Sequence, residues 1–442
     1  MGTFTGTLAN ETITPASVSP TVVGTGRPSA AADTINGGGG SDDLNGGGGN
    51  DTVAVDFWTK DPYTFTGTST LRGGSGNDRL YVLLEGPNLD VDNGTFRLYG
   101  GSGNDRLEAT YYYPWSQGPN YGAAKDFLYG GTGSDTYVLQ ERTDVVVERA
   151  GEGYDTVLGW GDDYTLAANV EKLQLFYGDD DAPQGYRGTG NDLANVIIGT
   201  AANDTLLGGG GDDTIFGKAA GENLDGNDDA DVIRGGSGND TIYGGSGNGE
   251  SWDGDDVIYG DGGNDRIFGS FGNDRMYGGT GNDEMGGQAG DDAMYGGGGN
   301  DRLGGGSGND SLFGGGGADR LSGRDDADQL TGGAGNDIFD YDAVTDSSPG
   351  ASRDVILDFV GVGAAVGDRI DLSTIDANSG AGGNQAFVFR GTAGFTGAGQ
   401  VRVTASGADT LVQANTGGSR APELEILVKD GGADPSSWIA GD

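Results

Sequence analysis

The chain has 442 residues, of which 94 are Gly, 68 are Asp or Glu, 24 are Lys or Arg and none is Cys or His, so its formal net charge is −44. Such a surface disfavours binding to nucleic acid and to anionic membranes, both of which need a cationic face. The missing residue types exclude disulfides, Cys-ligated zinc, the Ser-His-Asp triad and the HExxH zinc site. No apolar run approaches the roughly 18 residues of a membrane-spanning helix. Residues 1–6 lack the cationic and apolar segments of a cleaved export signal.

Residues 1–36 are expected to form an N-terminal segment that caps the fold, and a nine-residue period follows them. The period is G-G-x-G-x-D-x-U-x, in which U is apolar, and the strict hexapeptide GGxGxD occurs 12 times. Over residues 37–189 the period is loose, because successive hexapeptides at Gly46, Gly73 and Gly100 start 27 residues apart. We expect the 18-residue gaps between them to be coils that have lost their acidic turns. Aromatic-rich inserts interrupt this region, as at residues 111–115.

Residues 190–340 keep the period closely. Six nonapeptides run in frame over residues 190–243, a seven-residue insert follows, and ten more run without a slip over residues 251–340. In those ten, position six is always Asp and position eight is always apolar. An isolated glycine-rich hexapeptide usually marks only a turn, but two columns of this regularity argue against that interpretation.

Each nonapeptide is interpreted as a six-residue turn followed by a three-residue strand, whose middle side chain points away from its neighbours. One apolar residue per strand cannot form a core alone. Two nonapeptides per coil are therefore predicted to stack into an all-β, parallel β-roll solenoid with two facing apolar ladders. The predicted ladders are Ile267, Met285, Leu303, Leu321 and Phe339, and Met276, Met294, Leu312 and Leu330. Outward arginines at position seven are expected to pair with nearby carboxylates: Arg266, Arg275, Arg302 and Arg320.

The acidic turns are predicted to bind Ca²⁺. Carboxylates about 5 Å apart repel by roughly 1 kcal/mol per pair even in water, so a column of them calls for a cation between coils. Carboxylate and carbonyl oxygens in a flexible cage of roughly six to eight ligands suit Ca²⁺ better than Mg²⁺. The predicted carboxylate ligands are Asp42, Asp51, Asp78, Asp105, Asp135, Asp204, Asp213, Asp231, Asp240, Asp256, Asp265, Asp274, Asp283, Asp292, Asp301, Asp310, Asp319, Asp328 and Asp337. The predicted carbonyl ligands belong to Gly208, Gly211, Gly235, Gly238, Gly278, Gly281, Gly296, Gly299, Gly305, Gly308, Gly314, Gly317, Gly332 and Gly335.

The nonapeptides resemble those of the RTX (repeat-in-toxin, or hemolysin-type) proteins, whose right-handed parallel β-roll binds calcium between its coils. Residues 354–359, 368–373 and 395–401 resemble parts of the C-terminal domain of serralysin-type proteases. That resemblance implies that residues 341–442 form a β-sandwich-like cap with an uncleaved signal for type I secretion from a Gram-negative cell. The protease domain of that family, with its HExxH zinc site, has no counterpart in a chain without His.

Three classes of function remain open, and the first is the one we favour. It is a non-enzymatic structural protein of the bacterial cell exterior (a surface layer, filament or matrix), which folds on extracellular calcium and associates with copies of itself. The second is an adhesin or carbohydrate-binding protein that contacts cell-surface polysaccharide through aromatic residues such as Trp58, Tyr112, Trp115 and Trp160. The third is a polysaccharide-modifying enzyme that works with carboxylates alone. The type I secretion machinery is the expected export partner.

Overall fold

The computed structural model describes residues 2–6, 12–14, 23–24, 27–58, 63–64, 67–85, 89–90, 94–112, 125–139, 144–160, 163–176, 186–200, 202, 204–211, 213–219, 223–227, 229–245, 254–360, 367–380, 382–418, 420–429 and 439–440. All regular structure in these ranges is β-strand. No helix among them has the length and hydropathy of a membrane span. The chain divides into two compact units, Met1–Thr200 with Gly208–Gly210 and Ala201–Leu207 with Gly211–Asp442.

The strands are short, and most of them pair in parallel. Those up to residue 200 are β1 Thr3–Thr5, β2 Thr12–Ile13, β3 Val23–Gly24, β4 Thr34–Asn36, β5 Asp43–Gly48, β6 Thr52–Trp58, β7 Tyr63–Thr64, β8 Thr68–Ser75, β9 Arg79–Glu85, β10 Leu89–Asp90, β11 Thr95–Ser102, β12 Arg106–Tyr112, β13 Phe127–Thr132, β14 Thr136–Leu139, β15 Val145–Val146, β16 Thr156–Trp160, β17 Tyr164–Thr165, β18 Lys172–Phe176, β19 Arg187–Thr189 and β20 Val196–Ile198.

The remaining strands begin at Thr205. They are β21 Thr205–Gly209, β22 Thr214–Ala219, β23 Asn223–Asn227, β24 Val232–Ser237, β25 Thr241–Gly245, β26 Val257–Gly262, β27 Arg266–Phe271, β28 Arg275–Thr280, β29 Glu284–Ala289, β30 Ala293–Gly298, β31 Arg302–Ser307, β32 Ser311–Gly316, β33 Arg320–Asp325, β34 Gln329–Ala334, β35 Ile338–Asp340, β36 Val355–Ile356, β37 Arg369–Asp371, β38 Val388–Phe389, β39 Gln400–Ser406, β40 Asp409–Asn415, β41 Leu424–Val428 and β42 Ile439–Ala440.

In the first unit, most strands from β4 to β16 lie in two parallel sheets, while β7 and β10 pair with each other in a separate two-stranded sheet. Strand β5 pairs directly with β8 and β8 with β11, so that Leu44, Leu71 and Leu98 lie in register and are fully buried. Likewise β6 pairs directly with β9, and β9 with β12. One coil therefore takes up the whole 27-residue step. The expectation that the 18-residue gaps are separate coils is wrong, because their residues lengthen the strands and connections within a single coil.

In the second unit, the roll follows the predicted register of two nonapeptides per coil. Met276 pairs with Met294 and Met294 with Leu312 in one sheet, while Met285 pairs with Leu303 in the other. Both apolar ladders are confirmed: every predicted member is at most 3 % exposed. Side chains at this position fill the space between the two sheets, and burying each one contributes about 1.5–3 kcal/mol.

The strands are longer than the three residues expected, because the first glycines of each turn also pair in register. Strand β28 covers Arg275–Thr280, and Gly279 pairs with Gly297 in the next coil. Gly279 and Gly281 adopt positive φ (109° and 133°). A Cβ on Gly281 would overlap the carbonyl oxygen of Gly263 one coil away. Glycine is therefore favoured at position four by the close stacking of backbones as well as by φ, although Asp326 holds this position with φ 79°.

The C-terminal region continues the roll before the topology changes. Strand β36 pairs in parallel with β34, and β37 with β35, so roll pairing extends past Asp340, where the regular repeat ends. Strands β39, β40 and β41 then form an antiparallel sheet, whose strand β41 pairs in parallel with β36. In the described residues this antiparallel sheet lies where a β-sandwich-like cap was expected, and that it caps the roll stays a prediction.

Candidate calcium-binding columns

The position-six Asp residues of the second unit form two columns linked from coil to coil. In one column the amide N–H of Asp265 donates to Oδ1 of Asp283 (2.9 Å), and the N–H of Asp283 donates to Oδ1 of Asp301 (2.9 Å). In the other column the N–H of Asp274 donates to Oδ1 of Asp292 (2.8 Å). The same bond recurs every 18 residues along both columns. One oxygen of each carboxylate is thereby used within the fold.

The second oxygen, Oδ2, is left inside the columns without a hydrogen bond. This holds for Asp51, Asp78, Asp105, Asp135, Asp265, Asp283, Asp292, Asp301, Asp310, Asp319 and Asp328. Each of these residues is at most 3 % exposed. A buried anionic oxygen with no donor lowers the stability of the fold by several times more than an ordinary unmade hydrogen bond does, unless a cation neutralises it.

The electrostatics of the columns agree with that cost. Burial and, to a smaller extent, the neighbouring carboxylate of the column together raise the pKa of Asp283 and Asp301 to about 6. Burial raises the pKa of Asp292 and Asp328 to about 8. The N–H bond from the preceding coil lowers each pKa, but it is the smaller effect. The columns therefore favour protons when no other cation is present.

The glycine at position one leaves a space between coils that a cation fits. A Cβ on Gly296 would lie 2.5 Å from Oδ2 of Asp301 and 2.6 Å from the carbonyl oxygen of Gly314. The equivalent Cβ on Gly314 would lie 2.5 Å from Oδ2 of Asp319 and 2.7 Å from the carbonyl oxygen of Gly332. Carboxylate and carbonyl oxygens thus converge on one small space per coil. Hard oxygen ligands of this kind are those that Ca²⁺ prefers.

The first unit has one complete column. Amide-to-carboxylate bonds run from Asp33 through Asp51, Asp78, Asp105, Asp135 and Asp155 to Glu171. Its second column is interrupted, because Asp42 donates to the hydroxyl of Ser69 and Phe96 pairs in register with Ser69. The loose repeat therefore keeps its acidic turns along one edge and interrupts them along the other, where the amide N–H of Asp126 again donates to Oδ1 of Asp144 (3.3 Å).

The sequence matches a known family over more than half of its length. The family model of the RTX calcium-binding nonapeptide repeat matches residues 29–53, 63–82, 97–110, 122–138, 189–221, 217–250, 253–285, 277–312, 304–339 and 313–347. The chain belongs to the RTX calcium-binding repeat family. It is also similar to a solved structure, the AlgE6R3 subunit of the Azotobacter vinelandii mannuronan C5-epimerase, with 26 % identity. That match covers 43 % of this chain and 80 % of the other. Its TM-score of 0.21 is too low to support a structural or functional conclusion. No curated protein matches.

The structure brings the predicted RTX carboxylates together. All of the predicted Asp ligands are buried, at most 3 % exposed, and that they hold calcium stays a prediction. The position-one glycine carbonyls, such as that of Gly314, face the space beside Oδ2. The position-four carbonyls instead lie against backbone: a Cβ on Gly299 would overlap the carbonyl oxygen of Gly281, and one on Gly317 that of Gly299.

The hexapeptide pattern missed several members of the columns. Asp354 and Asp368 accept the amide N–H groups of Asp328 (3.1 Å) and Asp337 (3.0 Å), which extends both columns beyond the last strict repeat. Asp155 in the first unit was also missed. In each case the glycine pattern is incomplete, as before Asp155, where only Gly151 and Gly153 remain, but a shorter signal survives, an Asp followed two residues later by a buried apolar residue. A search for that triplet at coil spacing could have found them.

The outward faces of the two sheets of the second unit differ. On one face, Tyr259, Tyr277, Tyr295 and Phe313 stack with centroids 4.8–4.9 Å apart and planes within 9° of parallel. On the other, Gly286 and Gly304 occupy the same repeat position, which leaves a groove of about 860 Å³. Of the aromatic residues considered for sugar contact, Trp115 lies outside the described residues, as do the side chains of Trp58, Tyr112 and Trp160.

Arginines surround this groove. Two of the four position-seven arginines pair as expected, Arg320 with Asp340 (2.6 Å) and Arg266 with Glu284 (3.2 Å), whereas Arg275 and Arg302 form no ion pair with a described residue. Arg302 and Arg324 also line the groove, and neither has an ion pair with a described residue. Arg324 adopts φ 75° at repeat position two, which glycine holds in the nonapeptides on either side.

Proposed function

We propose that this RTX protein is a calcium-dependent structural protein of the bacterial cell exterior, exported by type I secretion and folded on arrival. The observation that carries the proposal is the row of buried Oδ2 atoms without hydrogen bonds in both units. At the low calcium concentration of the cytosol nothing neutralises them, so the chain stays unfolded and can be threaded through an exporter. At millimolar calcium outside, ion binding contributes directly to the free energy of folding.

A structural role is favoured over catalysis because the roll takes up most of the described chain. With no His or Cys in the sequence, no imidazole or thiol is available for acid–base or nucleophilic chemistry. Assembly is the next step of the proposal, with a second copy of the chain as the partner. Exposed apolar side chains in the C-terminal region support it: Val360, Val388 and Phe389 are 40–60 % exposed. Large exposed apolar side chains of this kind are common at protein–protein contacts.

The test is sedimentation velocity on the full chain, first in EDTA and then in millimolar calcium. We expect a slow, expanded species that compacts and then associates into larger particles when calcium is added. Asp292→Asn is expected to raise the calcium concentration needed for compaction. Asp291→Asn is the matched control, because Asp291 is exposed and coils on either side carry Asn at the same position. A chain that is already compact in EDTA at neutral pH would contradict calcium-driven folding, and a calcium-loaded monomer would contradict assembly.

A second candidate function is binding of a carboxylated polysaccharide in the arginine groove. The supporting observation is the pair Arg302 and Arg324, whose guanidinium groups have no ion pair with a described residue although the chain carries a net charge of −44. A guanidinium group matches a carboxylate in a two-bond geometry. Gly286 and Gly304 open the space between them, with Phe268 at one side. The stacked rings on the opposite face suit sugars less well, because they cover one another's faces.

This candidate is tested by the binding of oligogalacturonate, compared with a neutral glucan of equal length, at fixed calcium. Arg324→Gly is the useful variant, since glycine is the residue that the repeat carries at this position and no fold defect is expected. We expect a several-fold loss of oligogalacturonate binding. Arg275→Ala, on the other sheet, is the control and should bind as the unmodified chain does. Equal binding by Arg324→Gly, or equal binding of the neutral glucan, would contradict the groove as an acidic-sugar site.

A further inference from the structure

Glu148 occupies a place in the first unit where the repeat elsewhere has glycine. Strand β13 pairs with β15, with Leu128 opposite Val146. Glu148 therefore stands one coil after Gly130, at repeat position one. In the regular coils a Cβ at this position points at Oδ2 of the column Asp. A glutamate side chain placed there is aimed into the acidic column.

Three carboxylates meet at this point. Asp135, Glu148 and Asp155 each offer an oxygen within 4.8 Å of the others. They are 1 %, 7 % and 1 % exposed, respectively. The amide N–H of Asp135 donates to Oδ1 of Asp155 (2.8 Å), which fixes the two aspartates to each other. Three anionic groups so close together and shielded from water repel strongly unless a cation lies among them.

The side chain of Glu148 is held in place from one side only. The hydroxyl of Tyr137 donates to Oε1 of Glu148, and the amide N–H of Gly130 donates to that hydroxyl (2.8 Å). Asn169 donates to the backbone carbonyl of Glu148 (3.0 Å). Oε2 of Glu148 and Oδ2 of Asp135 are both buried without a hydrogen bond. The fold therefore orients the glutamate with one hydroxyl and leaves its other oxygen facing the two aspartates.

We propose that Asp135, Glu148 and Asp155 form a separate calcium site, which fills at a lower calcium concentration than the intervals of the regular roll. The roll intervals combine carboxylates with backbone carbonyls, whereas this site replaces a glycine by a third carboxylate. Affinity for Ca²⁺ rises with the number of charged ligands and with the rigidity of the site. Because it precedes the regular roll in sequence, the site would order the irregular coil while the roll still lacks its ions.

The alternative is that Glu148 fills the space of the ion and carries a proton instead. Burial and the charges of Asp155 and Asp135 raise the pKa of Glu148 to about 8, so a neutral glutamate is the competing state. The two readings differ in stoichiometry at low calcium. If Glu148 is a ligand, the tightly bound ion is lost when its carboxylate is removed. If Glu148 instead fills the space of the ion, its replacement allows an additional ion to bind.

The test is calcium titration of the full chain in competition with a chromophoric chelator of micromolar affinity. We expect one ion to bind roughly tenfold or more tightly than the rest, as the added charged ligand implies. Glu148→Gln should abolish that tight step. Glu284→Gln, the same change at an exposed glutamate of the second unit, should retain it. An unchanged tight step in Glu148→Gln, or an additional ion bound by this variant, would overturn the proposal.

A second variant keeps the proposal testable if Glu148→Gln does not fold. Tyr137→Phe retains all three carboxylates but removes the hydroxyl that orients Glu148. Tb³⁺, added at substoichiometric amounts, should emit when tyrosine is excited, and this emission should fall several-fold in Tyr137→Phe. Equal emission from the two chains would contradict a site beside Tyr137. The inference rests on calcium binding by the repeat and not on assembly. A tight step that does not depend on Glu148, in a chain that still compacts and associates in calcium, would refute this inference and leave the proposed function standing.

Discussion

Filling one cation space without removing any ligand is the sharpest test of the columns. Gly296→Ala introduces a Cβ 2.5 Å from Oδ2 of Asp301 and 2.6 Å from the carbonyl oxygen of Gly314, closer than real Cβ contacts come. The φ of Gly296 is not in the left-handed region, so the substitution adds no backbone strain of that kind. The matched control is Gly298→Ala in the same turn, because a Cβ there meets nothing within 4 Å.

The expected loss has two parts. Overpacking costs about 1–3 kcal/mol. Loss of an ion that is present at a hundred times its dissociation constant costs about 2.7 kcal/mol more. For a folding unit of about 200 residues each kcal/mol lowers Tm by roughly 2–4 °C, so Gly296→Ala should melt roughly 10 °C or more below the unmodified chain in millimolar calcium.

The assay is thermal unfolding followed by circular dichroism, together with the number of calcium ions bound at saturation. Gly298→Ala should match the unmodified chain in both measurements. In EDTA at about pH 4.5, where protons neutralise the columns, only the steric part of the loss should remain. If Gly296→Ala lost no more stability in calcium than in acid EDTA and bound the same number of ions, position one would not adjoin a calcium site.

Other perturbations of the second unit have equally definite outcomes. In EDTA, stability should fall as pH rises, because the pKa values of Asp283 (about 6) and Asp292 (about 8) in the folded chain lie above the ordinary 3.8. The stability from protonation is complete below about pH 4 and is lost through pH 6 to 8; melting temperatures in EDTA that are flat or rise with pH would contradict this. Met294→Ala, at a fully buried ladder position, should cost about 2–5 kcal/mol in chemical denaturation, against less than about 0.5 kcal/mol for the exposed Arg275→Ala. Arg324→Gly should stabilise the chain by about 1 kcal/mol, because glycine adopts φ 75° without strain, and a lower denaturation midpoint would show that Arg324 is held by contacts worth more than that strain.

The sequence predicted those parts of the fold that repeat. The period located the buried ladder of Met276, Met294 and Leu312, and the position-six aspartates, because every coil imposes the same packing on the same position. It did not predict the 27-residue coils of the first unit. Period alone cannot tell an added coil from a longer one, and only the pairing of Leu44 with Leu71 decides between them.

The sequence pattern also failed to identify functional residues that replace a repeat residue at a single position. Glu148 and Asp155 escaped the pattern because their turn has Glu148 in place of its first glycine and is two residues longer than the hexapeptide. The register of β13 with β15 was needed to align Glu148 with Gly130. The arginine groove was missed for a related reason. Gly304 holds an outward position that varies in the repeat, and Arg324 replaces a turn glycine, so their meeting in one groove depends on coil-to-coil stacking.

The amide-to-carboxylate bonds of the columns all run in one direction. Asp283 donates its N–H to the carboxylate of Asp301, one coil later, and Asp301 donates to Asp319 in the same sense. A folded coil therefore presents a ready acceptor to the coil before it in sequence, whereas the coil after it must bring its own carboxylate into place. Growth of the roll from its C-terminal end is thus templated at every step. If the C-terminal end left the cell first, each coil would emerge after the coil whose carboxylate accepts its N–H group.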